Sequence, residues 1–189
     1  MKESILFIAA AAMLAFTACC TQPGKTEGSC PDSKGPSWQD RLQEMLPILG
    51  HRNWIVIADM AYPLQSGQGI TTLYADEPYQ DVLKATLGMI NEAPHVFAHV
   101  YHDKELGFLT EDMVKGIGEL RNSIMEICGP EAQSVMHEDL IKRLDEAGHL
   151  YNVVIIKTPL TVPYTTTFFE LDCDYWGPEK QAELDKVIK

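Results

Sequence analysis

The chain has 189 residues and a formal net charge of −12, with its 15 basic side chains scattered among 27 acidic ones. No basic stripe is available to neutralise phosphates, which excludes nucleic acid as a partner class. The acidic balance suits an exported protein that must stay soluble.

Lys2 precedes an apolar run from Ile5 to Phe16, and Thr17-Ala18-Cys19-Cys20 follows. A charged start, a short apolar centre and small residues make the layout of a secretory signal, and the run falls short of the ~20 residues that a spanning helix needs. Leu14-Ala15-Phe16-Thr17-Ala18-Cys19 resembles a bacterial lipoprotein cleavage box with Cys19 as the lipidated residue. Residues 1–18 are therefore expected to be a signal peptide, and residues 19–36, rich in Gly, Pro, Ser and Lys, a flexible tether. The chain is then expected to be exported and lipid-anchored to a bacterial membrane, on its periplasmic or cell-surface side. Residues 37–189 remain as one ordinary domain with room for a core. Cys128 and Cys173 fall in it at no recognisable metal spacing, and an exported compartment would permit their pairing.

Within the domain, Ser37 is placed to cap a helix with Trp38, Leu42, Met45, Leu46 and Leu49 on one face, its last turn disturbed by Pro47. Trp54 to Ala58 is apolar without alternation, the pattern of a strand buried on both faces. Further strands are expected at 70–74, 96–101, 133–136, 151–158 and 165–171. Helices are expected from Pro78 to about Ile90, from Thr110 to about Gly129, from His137 to Ala147 with Gly148 as its stop, and from Glu179 to Ile188. Strands alternating with helices predict an α/β sheet covered on both faces. The last two strands have no helix between them and read as an antiparallel hairpin, which makes the sheet mixed.

His95, His99 and His102 have a spacing that converges on a helix, but their segment reads as a strand, where His99 and His102 point to opposite faces. No metal site is expected there. Neither a glycine-rich phosphate loop nor a G-x-S-x-G elbow is present. The remaining polar set lies near strand ends: His51, Asp59, His137 and Tyr164. Each has an ordinary reading beside the functional one, as a helix cap, a turn cap, a helix start and a hairpin residue. His51 and Asp59 flank one strand, and five residues of strand span ~17 Å, so the two ends cannot form one site unaided.

Leu49-Gly50-His51, with Asp59-x-x-x-Pro63 beginning eight residues after the histidine, resembles the ribose pyranase/fucose mutarotase (RbsD/FucU) family. His137-Glu138 opening a helix, and Val162-Pro163-Tyr164-Thr165-Thr166 before the last strand, are similar to the family's later motifs. Met60 replaces a usual small residue, and Thr166 stands where the family generally has asparagine. The resemblance implies an RbsD-like, three-layer α/β/α fold with a mixed central sheet. It also implies large ring-shaped homo-oligomers whose pockets a neighbouring subunit completes.

The activity implied is interconversion of the anomers, or of the pyranose and furanose forms, of a simple sugar such as ribose or fucose, without cofactor or metal. By the same resemblance His51 and Asp59 are catalytic, His51 as the acid/base, and His137, Tyr164 and Thr166 bind the sugar. Histidine suits such work because it titrates near neutrality. The rival expectation is a monosaccharide-binding lipoprotein that aids uptake without turnover, favoured by Met60 and Thr166.

Overall fold

The structure, a computed structural model, describes residues 35–188. The expected signal peptide, Cys19 and the tether as far as residue 34 lie outside them. Among the described residues no helix is long and apolar enough to cross a membrane.

The first helix, α1 (Trp38–Met45), starts as its sequence requires. The Ser37 hydroxyl accepts from the Asp40 N–H, and the Asp40 carboxylate accepts from the Ser37 N–H, which satisfies two otherwise orphaned donors. Pro47 has no N–H to continue an α-helix, and the chain tightens into a 3-10 turn over Leu46–Ile48. His95, not His51, caps this end: its Nε2 lies 3.0 Å from the Leu49 carbonyl oxygen.

Six strands follow: β1 (Trp54–Ala58), β2 (Ile70–Tyr74), β3 (Val96–Asp103), β4 (Gln133–Val135), β5 (Val153–Lys157) and β6 (Thr167–Cys173). They form one sheet in the order β2-β5-β1-β6-β3-β4. β6 alone runs antiparallel to its neighbours β1 and β3; the other pairings are parallel. The helices α2 (Tyr79–Glu92) and α3 (Ile117–Cys128) join α1 on one face, over Ile55, Ile57 and Phe169. On the other face α4 (His137–Leu150) packs Leu140 and Leu144 onto Val56, Ile155 and Phe168. The fold is therefore α/β/α in three layers around a mixed sheet, with β1 buried along its whole length. The terminal helix α5 (Pro178–Val187) buries no side chain.

β5 and β6 do not form the expected hairpin, because β1 lies between them. The two unbroken apolar runs pair parallel and in register, from Trp54 opposite Val153 to Ala58 opposite Lys157. The connection over 158–166 then crosses the end of β1, held by the N–H and Oγ1 of Thr158 on the Ala58 carbonyl and by the Met60 N–H on Leu160. α3 also starts later than expected. Gly116 takes φ +80°, and the Glu111 carboxylate accepts from the N–H groups of Gly116 and Gly118, so residues 110–116 make turns that cap the helix from outside.

α4 runs through Gly148 rather than stopping there. Its end lies close against the chain entering β2: an ideal Cβ on Gly69 would lie 2.5 Å from the Tyr151 carbonyl oxygen and 3.0 Å from that of Gly148. The strand entering β2 and the end of α4 approach too closely there for a side chain. Gly69→Ala is expected to lower the unfolding free energy by about 2–3 kcal/mol, read as a lower denaturant midpoint at unchanged slope.

β3 extends two residues past Tyr101 and takes in His102 and Asp103. His102 is buried among the α2–α3 side of the core, where burial lowers its pKa, whereas His99 lies half-exposed on the other face. No group of three or more metal-ligating side chains comes together among the described residues. Cys128 and Cys173 are separate free thiols, and burial pushes the Cys128 thiol up to about 12.

Candidate active site

Because every strand but β6 points the same way, the carboxyl ends of β1, β3, β4 and β5 share one edge with the start of β6. Loops at such an edge are where open α/β sheets collect ligand-binding side chains. A cleft of about 320 Å³ opens there, lined by Asp59, Tyr62, His137, Ile141, Tyr164 and Thr166 among others.

Asp59 follows directly on β1. Its Oδ1 accepts from the N–H groups of Ala61 (2.7 Å) and Tyr62 (3.1 Å), an Asx turn that swings the chain into the loop. The Lys157 ammonium at the end of β5 donates to the Tyr62 carbonyl and pins that loop. Asp59 thus fulfils its ordinary role as a turn cap while lining the cleft. The Tyr62 ring lies beneath, and burial, assisted by the charges of Asp145, Asp103 and Asp59, pushes its hydroxyl up to about 12.

His137 is the first residue of α4, placed by the short step from β4. Three contacts hold it. Its Nδ1 lies 2.9 Å from Asp103 Oδ1, its backbone N–H donates to both carboxylate oxygens of Glu105 at 3.1 and 3.2 Å, and its ring meets the Tyr164 ring edge-on at 5.8 Å and 82°. Asp103 closes β3 and is only 1% exposed. Burial pushes its carboxyl up to about 6, with the charge of Glu105 adding to the rise and the hydrogen bond and charge of His137 opposing it. Its Oδ2 has no hydrogen-bond partner among the described residues.

Tyr164 adopts φ +57°, a left-handed conformation that costs a non-glycine residue of order 1 kcal/mol. Its neighbours enforce the turn. Thr165 Oγ1 donates to the Val162 carbonyl, and the buried Tyr79 hydroxyl donates to the Thr165 carbonyl and meets Thr167 Oγ1 at 2.8 Å. The result aims the Tyr164 ring across the cleft toward His137. Thr166 is buried and directly precedes Thr167, which pairs with His102, the residue before Asp103.

Asp59, His137, Tyr164 and Thr166 therefore come together, and His51 does not join them. It is exposed in the turn before β1, at the amino end of the strand that Asp59 follows. There it lines a polar cleft with His99, Tyr101, Glu170 and Asp172. Asp172 is held below the usual carboxylate range by the Cys173 N–H and, after the opposing effect of burial, by His99 at 3.3 Å.

Two residues of the cleft's support had no part in the sequence reading: Asp103 and Glu105. Asp103 had a visible signal. It follows an apolar run by one residue, and extending the strand through His102 would have put a carboxylate at a strand's carboxyl end, beside His137 in the next parallel strand's loop.

No family model and no curated protein sequence matches the chain. Among solved structures it is similar to Bacillus subtilis RbsD complexed with D-ribose, at 19% identity and TM-score 0.49, over 74% of this chain and 97% of that one. It is similar to the fucose mutarotase from Streptococcus pneumoniae in complex with L-fucose, at 20% identity and TM-score 0.48, over 70% and 91% of the two chains. FucU from Bifidobacterium longum is a further such structure, at 17% identity and TM-score 0.46, over 70% and 93%. These three structural neighbours are RbsD and FucU proteins, each at low sequence identity.

Proposed function

We propose that this protein binds a simple monosaccharide in the cleft at the carboxyl edge of the sheet and interconverts its anomers or its pyranose and furanose forms. The observation that carries the reading is the meeting of Asp59, His137, Tyr164 and Thr166 in one cleft. These are residues that the sequence motifs, read independently of any geometry, assign to sugar chemistry. A carboxylate and an imidazole beside an aromatic ring suit a polyhydroxylated ligand, whose hydroxyls need acceptors and donors and whose C–H face packs on a ring.

The reaction balances without an external reagent. A base takes the anomeric hydroxyl proton as the bond from C1 to the ring oxygen breaks, an acid gives that oxygen a proton, and C1 becomes an aldehyde. Rotation about C1–C2 and the reverse transfers close the ring on the other face. Each positioned transfer is worth roughly 10²–10⁴-fold. By the motif resemblance one proton carrier is His51. Its place at the far end of β1 leads us to assign it to the pocket of a neighbouring copy, in a ring-shaped homo-oligomer. Export and a lipid anchor at Cys19 complete the proposal, and the tether would let every copy reach the membrane.

The test is anomer exchange followed by saturation-transfer NMR on the full chain with D-ribose and L-fucose. Exchange faster than in buffer is expected, and Asp59→Asn should reduce it by about 10–100-fold, as loss of a charged hydrogen-bond partner does. Sugar binding without faster exchange would instead identify a non-catalytic monosaccharide-binding lipoprotein.

A further inference from the structure

We propose that His137 is a proton-transferring residue of the cleft and that the buried Asp103 is the positioning residue that fixes its ring. The inference rests on the mutarotase reading and supplies its second proton carrier. Ring opening needs one group at the anomeric hydroxyl and another at the ring oxygen, on different sides of the sugar. One histidine from a neighbouring copy serves only one of them.

Within the chain, the Asp59 Oδ1 is already committed to the N–H groups of its own turn. His137 is differently held. With Nδ1 on Asp103 at 2.9 Å, the ring's exchangeable position toward a ligand is Nε2. The Glu105 carboxylate on its backbone N–H and the edge-to-face contact with the Tyr164 ring leave the imidazole little freedom to turn. With its Nδ1–H on Asp103, a neutral His137 presents Nε2 to a ligand as a proton acceptor, and the carboxylate stabilises the imidazolium once Nε2 has taken the proton.

Asp103 itself is closed off from the cleft, so it acts through His137 alone. The titratable groups facing it are His137 from α4, Glu105 from the 3-10 turn after β3, Tyr62 from the loop after β1, and Tyr79 from α2. The two phenols stay neutral across the working range, since burial raises both. The Asp103 carboxyl, which burial and the charge of Glu105 push up to about 6 against the opposing hydrogen bond of His137, therefore sets the acid side of the pH response. Below that value Asp103 carries a proton and no longer supports an imidazolium. Exchange should then fall by about tenfold per pH unit.

The decisive experiment compares wild type, Asp103→Asn and His137→Gln as full chains, measuring anomer exchange from pH 4.5 to 8 alongside sugar affinity. Asp103→Asn is expected to lower the exchange rate at saturating sugar by about 10–100-fold, to change the half-saturating concentration by less than about threefold, and to abolish the acid limb near pH 6. His137→Gln keeps a hydrogen-bonding side chain that cannot shuttle protons. It should lose at least 10²-fold in exchange while still binding. Long-range proton–nitrogen NMR should find the wild-type His137 ring protonated at Nδ1 when neutral, and mixed between tautomers in Asp103→Leu. Wild-type exchange that Asp103→Asn leaves within about twofold, with the acid limb intact, overturns the role of Asp103. Absence of exchange in the wild type overturns the mutarotase reading itself, and with it the proton-transfer role of His137.

Discussion

Asp103→Asn is expected to make the protein more stable above neutral pH while making it a poorer catalyst. The folded carboxyl titrates at about 6 against an ordinary value of 3.8, so the folded state holds that proton more tightly than the unfolded chain does. Its contribution to stability is fully present below about pH 4, is lost as pH rises through about 6, and above that is a constant cost. A difference of roughly two pKa units corresponds to about 3 kcal/mol. Asparagine keeps the shape and carries no charge to desolvate, so up to about that much stability should return at pH 8 and almost none at pH 4. For a chain of this size each 1 kcal/mol is worth about 2–4 °C in Tm, and a rise of 5–10 °C at pH 8 is the measurable form. Other carboxylates, such as Asp172, lie below their usual range and contribute with the opposite pH dependence. The difference between wild type and variant as a function of pH isolates Asp103 from them. A Tm that falls at pH 8 in Asp103→Asn would mean that the ion pair with His137 outweighs the desolvation. The opposed signs of stability and activity are what a functional site built at the expense of the core produces.

How far the sequence carried the fold, and where it failed, follows from the range of the forces involved. β1 and β5 were legible because an unbroken β-branched run has few alternatives to a buried strand. α1 was legible because Ser37, Asp40 and Pro47 act within one turn of each other. The order of strands was not. Residues 158–166 contain nothing that distinguishes a hairpin from a crossing over β1; the choice is made by β1 and β5 pairing across about a hundred residues of chain. The late start of α3 was hidden for a different reason. Thr110-Glu111-Asp112 makes a good helix opening by propensity, but Glu111 satisfies more donors by reaching forward to Gly116 and Gly118. In the cleft, Asp59, His137, Tyr164 and Thr166 were named from local motifs. Asp103 was not, because its importance lies in burial and in one contact to a side chain 34 residues away.

A mixture of two inactive variants is expected to regain activity. His51→Ala removes a side chain at the amino end of β1, and His137→Ala removes one at the opposite, carboxyl edge of the same sheet. Five residues of strand separate these edges by ~17 Å, well beyond the reach of an imidazole toward a shared sugar. If both histidines act on one ligand, they come from different copies of the chain. Each variant alone should then lose at least 10²-fold in exchange, since every pocket lacks one proton carrier. When the two are produced together and assemble at random, a pocket is intact if its His51 comes from the His137→Ala copy and its His137 from the His51→Ala copy. That occurs in about one pocket in four for a closed head-to-tail ring, so about a quarter of wild-type exchange should return. Mixtures of either variant with Asp103→Asn sharpen the assignment. His51→Ala with Asp103→Asn should complement in the same way, because Asp103 serves the His137 half, whereas His137→Ala with Asp103→Asn should not. Failure of the His51→Ala mixtures to recover, with assembly intact, would mean that two copies do not share a pocket, and a His51→Ala variant that keeps its exchange would leave the exposed His51 outside the chemistry. The half-exposed polar surface around His51, with His99, Glu170 and Asp172, would then be an ordinary solvated sheet face. Recovery with the expected pattern would make that surface the lid that a second copy brings to the cleft.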